Sequence, residues 1–145
     1  MTGGPVRVSV HDQPDKAAAA IVDNGLGEAN ELAAPLDEVR PLQCFVRDGD
    51  GRVLGGAVGR TWGECCELLQ LWVEPAQRQR GLGSRLMQAF EQRAVERGCR
   101  VVYLDTFTFQ APAFYRRHGY EPALEIAGFG HGIVKYTMQR RLGPA

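Results

Sequence analysis

The hydrophobic and polar positions of this chain fall into two periods. Val6-Arg7-Val8-Ser9-Val10 alternates and predicts a first strand. Lys16 to Leu32 is alanine-rich and predicts a helix, with a break at Gly25-Leu26-Gly27. Pro35 to Pro41 is a connector. Gln43 to Arg47 and Arg52 to Gly59 predict a hairpin around Asp48-Gly49-Asp50-Gly51. Glu67 to Val73 predicts a fourth strand. Leu82, Leu86, Phe90 and Ala94 lie on one helical face, and Gly98 marks its end. Arg100 to Thr106 predicts a fifth, buried strand, and Ala111 to His118 a short helix with Pro112 in its first turn and Gly119 at its stop. Tyr120 to Glu125 and Ile133 to Arg140 predict the last two strands. The order is that of a mixed α/β sheet.

Between the fourth strand and the second helix lies Arg78-Gln79-Arg80-Gly81-Leu82-Gly83, followed by Ser84. A glycine loop at a strand-to-helix turn lets several backbone N–H groups converge, and the helix N-terminus adds partial positive charge. Such a nest suits a phosphate or pyrophosphate, and Arg78 and Arg80 suit the same anion. The spacing is not that of a Walker loop, because no Gly-Lys-Ser/Thr follows. Nor is it a dinucleotide fingerprint, because Leu86 stands where the third glycine would.

What remains, Arg-x-x-Gly-x-Gly at Arg78, Gly81 and Gly83, resembles the coenzyme A loop of the GNAT N-acetyltransferase superfamily. A second block is similar to the same family: Ala111, Phe114-Tyr115 and Gly119-Tyr120 fit its Ala, Phe-Tyr, Gly-Tyr/Phe pattern. The resemblance runs from about residue 41 to 141. It implies a single GNAT-like domain over residues 1–145, an α/β fold with a mixed, mostly antiparallel sheet flanked by helices. In that fold the fourth and fifth strands splay apart. It further implies acetyl-CoA as cofactor, with the pantetheine arm pairing with backbone groups of Leu71, Trp72 and Val73. The pyrophosphate would rest on Arg78, Gln79, Arg80, Gly81, Leu82, Gly83 and Ser84, and Ala111 and Tyr115 would adjoin the thioester. Thr108 stands where many members carry a cofactor-contacting asparagine, and its hydroxyl supplies one hydrogen bond in place of an amide pair. Small members are often homodimers, which makes a homodimer the expected assembly.

Acetyl transfer to an amine needs a deprotonated amine, a donor for the thioester oxygen and a proton for the leaving thiolate. Tyr115 resembles the tyrosine that faces the coenzyme A sulfur in many members, and a phenol can protonate a thiolate of comparable basicity. Glu67, on the fourth strand, resembles a strand carboxylate that some members use as base. His131, in the glycine-rich turn Gly128 to Gly132, is a second candidate base. No covalent intermediate is required, so no cysteine nucleophile is expected.

Bulk properties narrow the partners. The 145 residues are 44% hydrophobic and 23% charged, ordinary for one globular domain. Net charge is zero, yet residues 1–75 hold 12 acidic and 6 basic residues, net −6, and residues 76–145 hold 5 acidic and 11 basic, net +6. The positive half holds the glycine loop, which fits a small polyanion and not general nucleic-acid binding. No apolar run has the length of a membrane span, and Met1 to Pro5 lacks a signal-peptide pattern, so a cytoplasmic location is expected. Cys44, Cys65, Cys66 and Cys99 show no zinc spacing and read as reduced core or near-core residues. The expected activity is acetyl transfer to a primary amine, with a small-molecule acceptor favoured. A peptide or protein amine, or a coenzyme A-binding module without catalysis, are the alternatives.

Overall fold

The structure, a computed structural model, describes residues 3–143 and divides into two compact units, residues 1–36 and 37–145. The first unit contains one helix, α1 (Lys16–Ala33). Asp15 caps it by accepting the Ala18 N–H at 3.0 Å. The helix runs unbroken through Gly25 and Gly27, contrary to the expected break. Each glycine costs about 1 kcal/mol, which lowers helix stability without ending the hydrogen-bond ladder. Val6 to Val10 forms no strand, and all five residues are exposed. Alternation makes a segment extended, but a strand needs a partner, and this unit holds none.

The second unit is a six-stranded sheet in the order β1-β2-β3-β4-β6-β5. Its strands are β1 (Arg40–Arg47), β2 (Val53–Trp62), β3 (Cys65–Val73), β4 (Val101–Phe107), β5 (Glu121–Ile126) and β6 (Lys135–Arg141). All neighbouring pairs are antiparallel except β3 and β4, which run parallel. A parallel pair needs a long crossover, and helix α2 (Leu82–Glu96) supplies it. A short helix, α3 (Pro112–Arg117), joins β4 to β5.

Leu86, Met87, Phe90 and Ala94 of α2 are buried against Leu42, Ala57, Cys66, Leu68, Val102, Leu104 and Met138 of the sheet. The helix stripe expected from the sequence therefore faces the core. Gly59 sets how closely α2 can approach. A Cβ there would stand 2.1 Å from the Glu67 carbonyl oxygen and 2.6 Å from Phe90 Cζ. The β2–β3 register also shifts between Val58 and Gly59, leaving Leu69 as the extra residue on β3.

Only Cys65 to Leu68 pair with Val101 to Leu104; beyond them β3 and β4 carry on unpaired with each other. The expected splay is thus present, and it begins at the bulge. On β4 the antiparallel pairing to β6 continues to Phe107. On β3 the pairing to β2 continues to Val73.

Gly59→Ala should destabilise the protein by about 2 kcal/mol, because backbone and a core ring both block the new methyl group. A lowered urea midpoint with an unchanged transition slope is the expected result.

Candidate active site

The parted strands open on to a cavity of about 1100 Å³. Leu71 to Val73, Arg78, Gln79, Gly81 to Ser84, Ala111 and Tyr115 all line it. Most of the residues singled out from two separate sequence blocks are therefore brought to one place.

The loop at its end is shaped by two left-handed residues, Gln79 at φ 64° and Gly81 at φ 76°. Gly81 is the N-cap of α2 and offers no side-chain cap. Leu82, Gly83 and Ser84 form the first turn, whose N–H groups have no intrahelical acceptor by geometry. The Arg85 N–H is bonded to the Gly81 carbonyl at 3.0 Å. A set of converging donors with the helix dipole behind them is an anion site. Gly83 lies against α3: a Cβ there would meet the Phe114 ring at 3.4 Å.

Arg78 lines the cavity and donates from Nε to the Val73 carbonyl at 2.9 Å, tying the loop to the end of β3. Arg80 is hydrogen-bonded to Gln77 Oε1 and is not among the lining residues. Ser84 Oγ shares a hydrogen bond of 2.9 Å with His118 Nε2, which joins the loop to the end of α3.

Tyr115 sits on α3, which begins at Pro112 and stops at Gly119, a residue in the left-handed region at φ 88°. Its ring packs edge-on against Phe114 and Tyr120. Burial pushes its phenol up to about 12. The hydroxyl makes no hydrogen bond among the described residues, while no side-chain oxygen or nitrogen sealed from solvent lacks a partner. The phenol therefore looks into the cavity as a protonated donor.

A buried cluster anchors this helix. Tyr120 Oη donates to Glu91 Oε2 at 2.7 Å, and Arg140 Nη1 donates to both Glu91 oxygens at 2.9 and 3.0 Å. One carboxylate on α2 thus fixes Tyr120, just beyond α3, and strand β6. Glu91, together with the lining residues Gln110 and Arg117, was not singled out from the sequence. Glu91 sits next to Phe90 on the apolar stripe, and a buried carboxylate there is the signal that could have found it.

Three candidates stand elsewhere. Glu67 is on β3 but does not line the cavity; Arg60 grips it from Nε at 3.0 Å and Nη2 at 2.9 Å. His131 lies exposed in the β5–β6 loop at φ 54° and does not line it either. That loop is fastened to β4 by Phe129, which packs edge-on against Phe107 at 5.6 Å. Thr108 is not among the lining residues: its Oγ1 accepts the Val134 N–H at 3.2 Å, and its N–H donates to the Val134 carbonyl at 3.0 Å. Of the cysteines, Cys66 and Cys99 are buried and Cys44 half-buried, but Cys65 is exposed, outside the core position expected for it. Burial pushes the Cys66 thiol up to about 12, which keeps it out of nucleophilic chemistry.

Residues 17–120 match the model of the acetyltransferase (GNAT) family. The chain belongs to the GNAT acetyltransferase family. It is 37% identical over 112 residues to the Blasticidin-S acetyltransferase of Streptomyces morookaense, covering 74% of this chain and 82% of that one. An acetyltransferase of Agrobacterium fabrum is 35% identical over 130 residues, covering 90% and 95%. Among solved structures, an acetyltransferase from Bacillus cereus superposes with a TM-score of 0.76 at 26% identity, covering 92% of this chain and 98% of that chain. This GNAT acetyltransferase has no helix long and apolar enough to cross a membrane among the described residues.

The raised Tyr115 phenol has a consequence for stability. Its folded pKa of about 12 lies above the ordinary value of 10, so its contribution is intact below pH 10 and lost as pH rises through 12. Burial raises the Tyr120 phenol as well. Tyr115→Phe should therefore flatten, without abolishing, the fall in urea-unfolding stability between pH 10 and pH 12.

Proposed function

We propose that this protein is an acetyl-CoA-dependent N-acetyltransferase that transfers the acetyl group to a primary amine of a small molecule by direct attack. The observation that carries the reading is the uncapped first turn of α2, with its converging N–H groups, at one end of a cavity formed by parted strands. The pyrophosphate would take those N–H groups. The pantetheine arm is an extended amide chain, and the backbone of Leu71 to Val73, free of β4, can pair with it as another strand would.

Tyr115 is the proton donor to the departing thiolate. The C–N bond forms as the amine lone pair attacks the thioester carbon, and the C–S bond breaks with its electron pair leaving on sulfur. The phenol then protonates that sulfur, and the proton that the attacking nitrogen loses passes through solvent to restore the phenol. Its elevated pKa keeps it protonated through the neutral range. Glu67, gripped by Arg60, and His131, on the exposed turn, stay as candidate bases, each reaching the ammonium through solvent. Thr108 keeps its own O–H, and Arg80 its other guanidinium N–H groups, for a cofactor contact beside their present hydrogen bonds.

A small-molecule acceptor is favoured because the relative at 37% identity is named for acetylating blasticidin S. A thiol-release assay with acetyl-CoA across an amine panel tests the reaction, and absence of turnover with every amine overturns it.

Two substitutions divide binding from chemistry. Gly83→Val would crowd both Phe114 and the approach of a diphosphate to the loop. Calorimetry on the folded variant should show acetyl-CoA binding weaker by about 2 kcal/mol or more, from lost charge-assisted hydrogen bonds. Unchanged affinity would remove the loop from the cofactor site. Tyr115→Phe keeps the ring packing and removes the proton. Its kcat should fall about 10²-fold with cofactor affinity barely moved. Full activity with acetyl transfer still rate-limiting would assign Tyr115 to packing.

A further inference from the structure

The cavity is lined by residues from both faces of the sheet. On one face stand α2, α3 and the glycine loop. On the other, the strands carry outward-facing side chains in rows fixed by the register. Phe45 of β1 stands opposite Gly56 of β2, and Gly56 opposite Trp72 of β3. Directly opposed residues share a face, so Phe45 and Trp72 flank a position that has no side chain. The Phe45 ring leans over that position: a Cβ on Gly56 would stand 2.7 Å from Phe45 Cδ1.

Large aromatic side chains on a sheet are ordinarily covered. These two are open, Phe45 at 46% and Trp72 at 51% exposure, and both line the cavity. Among the described residues neither is paired with another aromatic ring, and the Arg47 guanidinium lies 5.8 Å from the Phe45 centroid. The next row inward, about 7 Å along the strands, holds Val58 opposite Gln70, and both line the cavity too. Gln70 offers an amide donor and acceptor beside the aromatic pair.

We infer that Phe45, Gly56 and Trp72 form an acceptor subsite that stacks a planar, unsaturated ring of the amine substrate, with Gln70 within reach of a polar group on that ring. The inference rests on the transfer reading above and adds the chemical class of the acceptor. Gly56 is essential to it, because any side chain there would displace the Phe45 ring from its place over β2. The paired end of β3 and β4 lies inward of this row, at Leu68 and Leu104, and the amine of the bound ring points toward it. Cofactor and acceptor then meet from opposite faces of the sheet, and neither must leave for the other to bind.

The test pairs phenethylamine with its saturated counterpart, cyclohexylethylamine, whose rings are similar in size but only one of which is planar. The kcat/KM ratio should favour phenethylamine by about tenfold, as expected from ring–ring contacts beyond simple burial. Trp72→Leu and Phe45→Leu should each bring the ratio toward one, through KM more than kcat, and Trp72→Phe should restore it. A second measurement does not depend on turnover. In a Trp62→Phe background Trp72 is the remaining tryptophan, and phenethylamine should quench its fluorescence saturably where cyclohexylethylamine does not. Saturable quenching without turnover would keep the subsite and sink the transfer reading. Equal turnover of both amines would keep transfer and overturn the subsite. Absence of planar preference in both readouts overturns the subsite as well.

Discussion

Everything in the site depends on β3 and β4 ceasing to pair after Leu68 and Leu104. A backbone N–H or C=O left unpaired inside a fold is costly, so strands that part must be held apart by something stronger. Here each strand is held from its outer side. β3 stays bonded to β2 as far as Val73, and β4 stays bonded to β6 as far as Phe107. The bulge at Leu69 turns β3 away, and Gly59 gives the bulge room under Phe90. The cleft is a wedge with two rigid walls.

The glycine loop is rigid for related reasons. Arg78 is tied to Val73, Ser84 to His118, and Gly83 lies against Phe114. The donors of the first α2 turn therefore face the cavity without help from a ligand. Behind them Glu91 links α2, Tyr120 and Arg140 in one buried cluster. The carboxylate does not line the cavity, yet it ties α2 to Tyr120, whose ring packs edge-on against Tyr115.

Much of this was legible along the chain. The stripe Leu82, Leu86, Phe90, Ala94 gave α2 its buried face, and Asp48 to Gly51 gave the hairpin turn. Arg78, Gly81 and Gly83 marked the loop, and the resemblance singled out Tyr115. Other features were not legible because they depend on partners distant in sequence. Val6 to Val10 has the alternation of a strand, but pairing is a property of two segments. Glu67 was expected as a strand base and Thr108 as a cofactor contact, but β2 brings Arg60 beside the first and the approach to β6 engages the hydroxyl of the second. Phe45, Gly56 and Trp72 are unremarkable apart and meaningful only in register.

The crossover between β3 and β4 also bears on the order of assembly. β1, β2 and β3 form a meander whose contacts are close in sequence, and its turns close short loops. The four-residue ladder from Cys65 to Leu68 instead joins segments separated by the whole of α2. Closing that longer loop costs more chain entropy and returns few hydrogen bonds, so it gains from a helix already docked on the meander. A nascent chain would hold half of the cleft, the β3 wall and its aromatic row, before β4 arrives to complete it. The enzyme's competence thus appears late in its own folding, with the last long-range pairing and not with the first compact core.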